Sequence, residues 1–112
     1  MLIDFNNMEE KSLPAFKGGQ KQYDVKMFDH AANKIMHGRL VPGASIGYHK
    51  HENNCEIIYI LSGHGTCIGD KEKGEEAIPV NPGEAHYCPM GYSHSLVNTG
   101  DEDLIFFAVV AG

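Results

Sequence analysis

The chain has 112 residues, which is room for one domain, and carries a formal net charge of -6 from 15 acidic and nine basic residues. The basic residues form no cluster, so a nucleic-acid partner is not expected, because binding to nucleic acid needs a basic footprint. No apolar run approaches the ~20 residues of a membrane span, and the start lacks the basic and apolar segments of a signal peptide, which predicts a cytoplasmic protein with no membrane partner.

The first twenty residues show no regular pattern. They are mostly polar, Pro14 disfavours a helix, and Gly18 and Gly19 mark a turn. We predict an N-terminal arm over residues 1–20, with at most one short strand, followed by a single domain over residues 21–112.

The rest of the chain alternates short apolar runs with turn residues. Residues 22–28 alternate polar and apolar side chains, which is typical of a half-buried strand. Further strands are predicted at residues 34–41, in the segment that ends at residue 51, and at residues 56–61, 63–70, 75–80, 85–88, 92–98 and 104–110. Loops are predicted at residues 29–33, 71–74 and 99–103. These short strands, without any sustained helical period, favour an all-β sandwich or barrel.

Four residues in this part of the chain suggest a metal site. His49 and His51 are two positions apart, so in an extended strand both imidazoles project from one face. A loop follows, and a hairpin-like return of the chain would bring Glu56 beside them. His94 lies in a later predicted strand and offers a third imidazole. Such a set of nitrogen and oxygen ligands suits one divalent ion of iron, manganese, nickel, zinc or copper.

The spacing of these residues resembles the two conserved motifs of the cupin family. The first motif, G-x5-H-x-H-x(3,4)-E-x6-G, is matched by Gly43, His49, His51, Glu56 and Gly63. The second, G-x5-P-x-G-x2-H-x3-N, is matched by Gly83, Pro89, Gly91, His94 and Asn98. The resemblance implies a double-stranded β-helix, the cupin jelly-roll barrel, over residues 21–112, with a metal held by His49, His51, Glu56 and His94.

The resemblance leaves two functions open, and with them the question whether the protein is an enzyme. The first is a metal-dependent enzyme of the dioxygenase, isomerase or decarboxylase type, acting on a small polar or carboxylated metabolite inside the barrel. The second is a non-catalytic module that binds a sugar or other metabolite, with a structural or ligand-anchoring metal. Oxalate-degrading cupins typically carry an arginine shortly before the first metal histidine, and residues 45–48 offer none.

Other side chains near the motifs are candidates for roles in the pocket. His86 lies two positions before Cys88, on the same face of the predicted strand, and is the candidate catalytic residue, as a general base facing the cavity. A position at the barrel mouth is the alternative. Arg39, the one arginine, is either a clamp for a substrate carboxylate or a solvated charge on an outer face. The remaining candidates are Tyr48, Met90, Tyr92 and Ser93.

The cysteines and two apolar strands bear on compartment and assembly. Cys55, Cys67 and Cys88 form no CxxC pair and leave one over, so we expect reduced, mostly buried thiols rather than disulfides. Residues 57–61 and 104–110 are apolar on both faces of the pleat, more than a small isolated barrel needs. We therefore predict a homodimer that packs sheet against sheet, with the N-terminal arm as a candidate for exchange.

Overall fold

Ten β-strands and two short 3-10 helices make up the computed structural model, which describes all 112 residues. The strands are β1 Lys11–Pro14, β2 Gln22–His30, β3 Asn33–Leu40, β4 Ser45–Lys50, β5 Cys55–Ser62, β6 Gly65–Ile68, β7 Ala77–Val80, β8 Ala85–Cys88, β9 Ser93–Val97 and β10 Leu104–Ala111. The 3-10 helices are Phe5–Asn7 and Phe16–Gly18, and no helix has the length and apolar character needed to cross a bilayer.

The strands form two antiparallel sheets that enclose the core. One sheet has six strands in the order β1-β2-β3-β10-β5-β8, and the other has four in the order β4-β9-β6-β7. The all-β jelly-roll architecture predicted from the sequence is confirmed. Nine strands lie within residues 21–112, and the tenth, β1, is a short strand within residues 1–20 that pairs with β2 at the edge of the six-stranded sheet.

Alternation along the strands of the larger sheet builds the core. In β10 the side chains of Leu104, Phe106 and Ala108 are fully buried, whereas the residues between them are only half-buried. The ring of Phe106 stacks on that of Tyr23 from β2, with centroids 5.7 Å apart. Burying a side chain of this size contributes ~1.5–3 kcal/mol to stability.

Two predicted loop boundaries differ from the structure. The turn predicted at residues 29–33 is only Ala31 and Ala32, because Asp29 pairs with Lys34 in the ladder and their side chains form an ion pair at 2.8 Å. The loop predicted at residues 71–74 is longer in the structure, since β7 begins at Ala77 rather than at residue 75. Its ends are joined by the backbone N–H of Glu75, which donates to the carbonyl of Asp70 at 3.0 Å.

The segment of residues 15–21, called here the docking loop, attaches the N-terminal residues to β4. Ser45 N–H donates to the carbonyl of Gln20 at 3.0 Å, and Gln20 N–H donates to Ser45 Oγ at 2.8 Å. Gly19 and Gly47 face each other so closely that a Cβ on either residue would collide with backbone atoms of the other segment. Only glycine fits at this contact. The division into an arm over residues 1–20 and a barrel over residues 21–112 stays a prediction.

Candidate metal centre

A β-bulge in β4 decides which of its side chains face the interior. Ile46 lies opposite Leu96 of β9, but His49 lies opposite His94, so Gly47 and Tyr48 together face a single residue of β9. The extra residue reverses the alternation beyond this point. The imidazole of His49 therefore faces inward, together with that of His51 just after the strand, and Tyr48 is 41% exposed.

The four predicted ligands come together within the barrel. His51 Nε2 lies 3.1 Å from His49 Nε2, 3.0 Å from His94 Nε2 and 3.2 Å from Glu56 Oε1. His94 Nε2 is 2.9 Å from the same carboxylate oxygen. One donor atom from each residue lies within 4.8 Å of all the others, and three of the residues are buried.

Hydrogen bonds at the far side of two rings orient their lone pairs toward the centre. His49 Nδ1 donates to the carbonyl of Gly47 at 2.7 Å, and His51 Nδ1 donates to Asn54 Oδ1 at 2.7 Å. The proton on Nδ1 leaves Nε2 of each neutral ring with a lone pair. Two such nitrogen atoms about 3 Å apart repel each other unless a cation or a proton lies between them. Three nitrogens and one carboxylate oxygen are a donor set that a divalent transition metal fits.

The ionisation states of the metal-free site also favour a metal centre. In the metal-free site, protons on Nε2 of His51 and of His94 take the place of an ion and donate to Glu56. Burial opposes ionisation of Glu56, but these hydrogen bonds outweigh it and lower the pKa of Glu56 to about 2. The hydrogen bond with Glu56 raises the pKa of His51, whereas burial lowers the pKa of His49. The carboxylate is thus ionised at neutral pH, as a metal ligand must be.

A pocket of about 420 Å³ opens onto three of these side chains, His49, His51 and Glu56. Its walls are partly apolar, with Phe16 and Tyr23 among them, and partly basic. Burial raises the pKa of Tyr23 far above its ordinary value, so the phenol stays protonated. Three lysines also line the pocket, Lys17 from the docking loop, Lys34 from β3 and Lys50 from β4.

Sequence patterns alone did not identify several residues of this pocket. Tyr23 could have been found from the alternation of residues 22–28, which places it on the same face as Val25 and Met27. Lys17 gave no signal, because nothing in the sequence shows that the arm docks beside the histidines. Asn54 is a turn former in a loop, and its contact with His51 depends on the path of that loop.

His86 does not line the pocket that opens onto His49 and His51. Its ring is half-buried and stacks on that of His94 with centroids 5.5 Å apart. It lines a second pocket, of about 520 Å³, beside Glu75 and Tyr87. Nδ1 of His86 and Nδ1 of His94 are both buried without a hydrogen-bond partner. The general-base role of His86 stays a prediction.

The other candidates lie outside the pocket that contains the histidines. Arg39 binds Glu10 at 2.7 Å, Asp24 at 3.5 Å and Asp103 at 3.4 Å, so it joins the N-terminal residues to the barrel. Lys73 lies over the ring of Tyr92. The remaining three residues are Tyr48, exposed Met90 and Ser93, whose N–H donates to Asp70.

The cysteines are free thiols. Burial raises the pKa of Cys67 and of Cys88 to about 12, so both stay protonated at neutral pH. Cys55 is half-buried and lies 3.5 Å from the carbonyl of Ala111. None of the three forms a disulfide in this structure.

Comparison with known proteins agrees with this architecture. Residues 36–110 match the Cupin_2 family, described as a cupin domain. A protein of Thermotoga maritima described as "Oxalate-binding protein" is 32% identical over 118 aligned positions, which cover 98% of this chain and 93% of that protein.

Two further relatives show how far the similarity extends. The crystal structure of a protein described as a "predicted oxalate decarboxylase", also from Thermotoga maritima, superposes with a TM-score of 0.89 at 28% sequence identity and covers 99% of this chain and 98% of that one. The "Glucose-6-phosphate isomerase" of Thermococcus gammatolerans is 40% identical over 63 residues, which are 55% of this chain and only 33% of the isomerase.

Proposed function

Because this chain belongs to the cupin family, we propose that His49, His51, Glu56 and His94 bind one divalent transition-metal ion, and that the ion anchors a small polar or carboxylated ligand in the pocket. The convergence of three imidazole lone pairs and a buried, ionised carboxylate on one point carries this proposal. Iron, manganese, nickel, zinc and copper all suit such a donor set. The bound ion would supply Lewis-acid chemistry at the floor of the pocket.

The first candidate activity is that of a metal-dependent enzyme on a small carboxylated metabolite, of the decarboxylase, isomerase or dioxygenase type. The chain supplies an apolar wall that limits water, the protonated phenol of Tyr23 and cationic lysines that attract an anion. The structural relative described as a predicted oxalate decarboxylase supports this class. His86, whose ring stacks on that of His94 and does not line this pocket, would position His94 rather than contact the substrate.

The second candidate is a binding module in which the metal only anchors the ligand. The relative described as an oxalate-binding protein, which aligns over nearly the whole of this chain, favours it. Arg39 is engaged by three carboxylates away from the pocket, so no guanidinium faces the candidate ligand site.

The metal content of protein purified without added metal or a histidine tag tests the proposal. We expect about one equivalent of a transition metal in the wild type and almost none in the His49→Ala/His94→Ala double variant. A wild-type protein that neither contains metal nor takes up any of the five metals would overturn the proposed function.

Turnover separates the two candidates. The metal-loaded protein would be incubated with oxalate and other small carboxylic acids, with and without oxygen, and products would be followed by NMR. Product that disappears on chelation supports the enzyme. Metal-dependent thermal stabilisation by the same acids, without any product, supports the binding module.

We also propose that the protein forms a homodimer through the outer face of the six-stranded sheet. Ile57 and Tyr59 of β5 are 47% and 44% exposed there, and Tyr87 of β8 lies opposite Ile57 in the ladder. Together they form an apolar patch of the kind that marks an interface. Sedimentation should show a dimer that Ile57→Lys dissociates, whereas Ile78→Lys on the other sheet leaves it intact. A wild-type monomer would contradict the proposed dimer.

The cytoplasmic location predicted from the sequence is likewise a proposal.

A further inference from the structure

The charges around the metal pocket are unevenly compensated. Lys34 is neutralised by Asp29, with 2.8 Å between Nζ and the carboxylate. Lys17 and Lys50 also line the pocket, but neither forms an ion pair. Glu52 also lines the pocket but pairs with neither lysine. The pocket therefore presents free ammonium groups beside the cluster of His49, His51 and Glu56.

Lys17 is held in place by an unusual backbone. Its φ and ψ of 54° and 28° are left-handed, a conformation that glycine adopts more readily than a residue with a side chain. The carbonyl of Lys17 lies against Gly47, in the bulge that turns His49 inward. Strained backbone of this kind is characteristic of ligand sites, where the surrounding structure enforces it.

Lys17 lines the same pocket as His49, His51 and Glu56. The one side-chain partner of its ammonium group is the ring of Phe16, with Nζ 5.6 Å from the centroid. Lys17 is thus a cation at the pocket wall that is free to meet an anion entering from solvent.

We propose that Lys17 is a specificity-determining residue whose ammonium group binds the outer carboxylate of a small dicarboxylate, while the inner carboxylate faces the metal centre. The inference rests on the proposed function, because it needs a metal at His49, His51, Glu56 and His94. A divalent ion held by one carboxylate ligand leaves one positive charge at the floor, and Lys17 adds a second at the wall. A dianion complements both charges, whereas a monocarboxylate or a neutral sugar complements only one.

The binding of malonate, succinate and acetate to metal-loaded protein tests this assignment by calorimetry. Lys17→Met removes the charge and keeps most of the length of the side chain. Lys21→Met is the matched control, because Lys21 also has a left-handed backbone, with φ of 56°, and lies in the docking loop but does not line the pocket. We expect Lys17→Met to weaken the binding of at least one dicarboxylate about tenfold or more and to change acetate binding little. Lys21→Met should bind all three like the wild type, and metal content should be equal in all proteins.

Three results would overturn the role of Lys17 while leaving the metal centre intact. One is metal-loaded wild type that binds neither dicarboxylate, and another is equal dicarboxylate affinity in wild type and Lys17→Met. A wild-type protein that takes up no metal would instead overturn the proposed function, and this inference with it. Equal weakening in Lys17→Met and Lys21→Met would show a general effect of net charge and would also refute the assignment.

Discussion

The two sheets of the barrel differ in how strictly they follow the two-residue alternation of a β-strand. In the six-stranded sheet, buried and exposed residues alternate through β5 as far as Leu61, and the register shift against β10 lies beyond Ile60, at the end of β5. In the four-stranded sheet, the bulge at Gly47 and Tyr48 interrupts β4 just before the two candidate metal ligands His49 and His51. The regular sheet supplies most of the core and one candidate ligand, Glu56, whereas the irregular sheet orients the three histidines.

The largest expected effect on stability lies in the regular sheet. Ile60 is fully buried on β5, and Ile60→Ala should lower the free energy of unfolding by ~2–5 kcal/mol because it leaves a cavity. Urea denaturation measures the loss, and Ile60→Val should show ~0.5–1.5 kcal/mol. The metal content of the folded fraction should not change. A simultaneous loss of metal would show that packing in the six-stranded sheet also determines metal binding.

His51→Ala tests the irregular sheet at its centre. His51 is in contact with all three other candidate ligands, so its loss should weaken metal binding more than about a hundredfold. Competition with a chelator of known affinity measures the change. His64→Ala is the control, since His64 is exposed and hydrogen-bonded only to Asn81. Comparable weakening in both variants would argue against the assigned ligands.

Gly47→Ala tests whether the bulge and the docking loop act together. The added methyl group would collide with the carbonyl of Lys17, so we expect a loss of ~1–3 kcal/mol in stability and weaker metal binding. Gly38→Ala in the six-stranded sheet is the comparison, because its Cβ would meet the rings of Phe106 and Tyr23. That variant should lose stability and keep its metal affinity. Unchanged metal affinity in Gly47→Ala would show that metal binding does not depend on the conformation of the bulge.

Asn54→Ala removes the acceptor that orients the ring of His51. Loss of a hydrogen bond to a metal-bound histidine typically weakens metal affinity by ~10–100-fold, and we expect the lower end because the loop is partly exposed. Asn53→Ala on the same loop is the matched control, since its side chain makes no hydrogen bond. Isothermal titration with the metal measures both, and unchanged affinity in Asn54→Ala would show that packing alone orients His51.

Acidification should produce the most gradual effect. The pKa of His51 is raised in the metal-free site by its hydrogen bond with Glu56, so a proton competes for Nε2 at pH values above the ordinary 6.5. Metal affinity should therefore fall by about tenfold per pH unit once the pH drops below that raised pKa. Glu56→Gln removes the ionised partner and should move the onset to lower pH. Affinity that is flat between pH 8 and 6 would contradict the coupling.

Motif spacing and alternation predicted most of this architecture, because both are local properties of the sequence. They placed His49 and His51 on one face, which the structure confirms, but strict alternation from buried Ile46 would have turned Tyr48 inward instead. The bulge depends on the pairing with β9, which no local pattern of β4 specifies. The docking of Lys17 and Gly19 against β4 depends on contacts between distant segments, so the sequence of the arm alone shows only a flexible turn.

The glycine contact between the docking loop and β4 has a consequence for how the chain avoids self-association. β4 is an edge strand of the four-stranded sheet, and the loop satisfies the backbone N–H of Ser45 and covers Gly47. A shortened chain without the loop would expose this edge to pairing with strands of other molecules. The same residues that complete the pocket thereby also protect the sheet from aggregation.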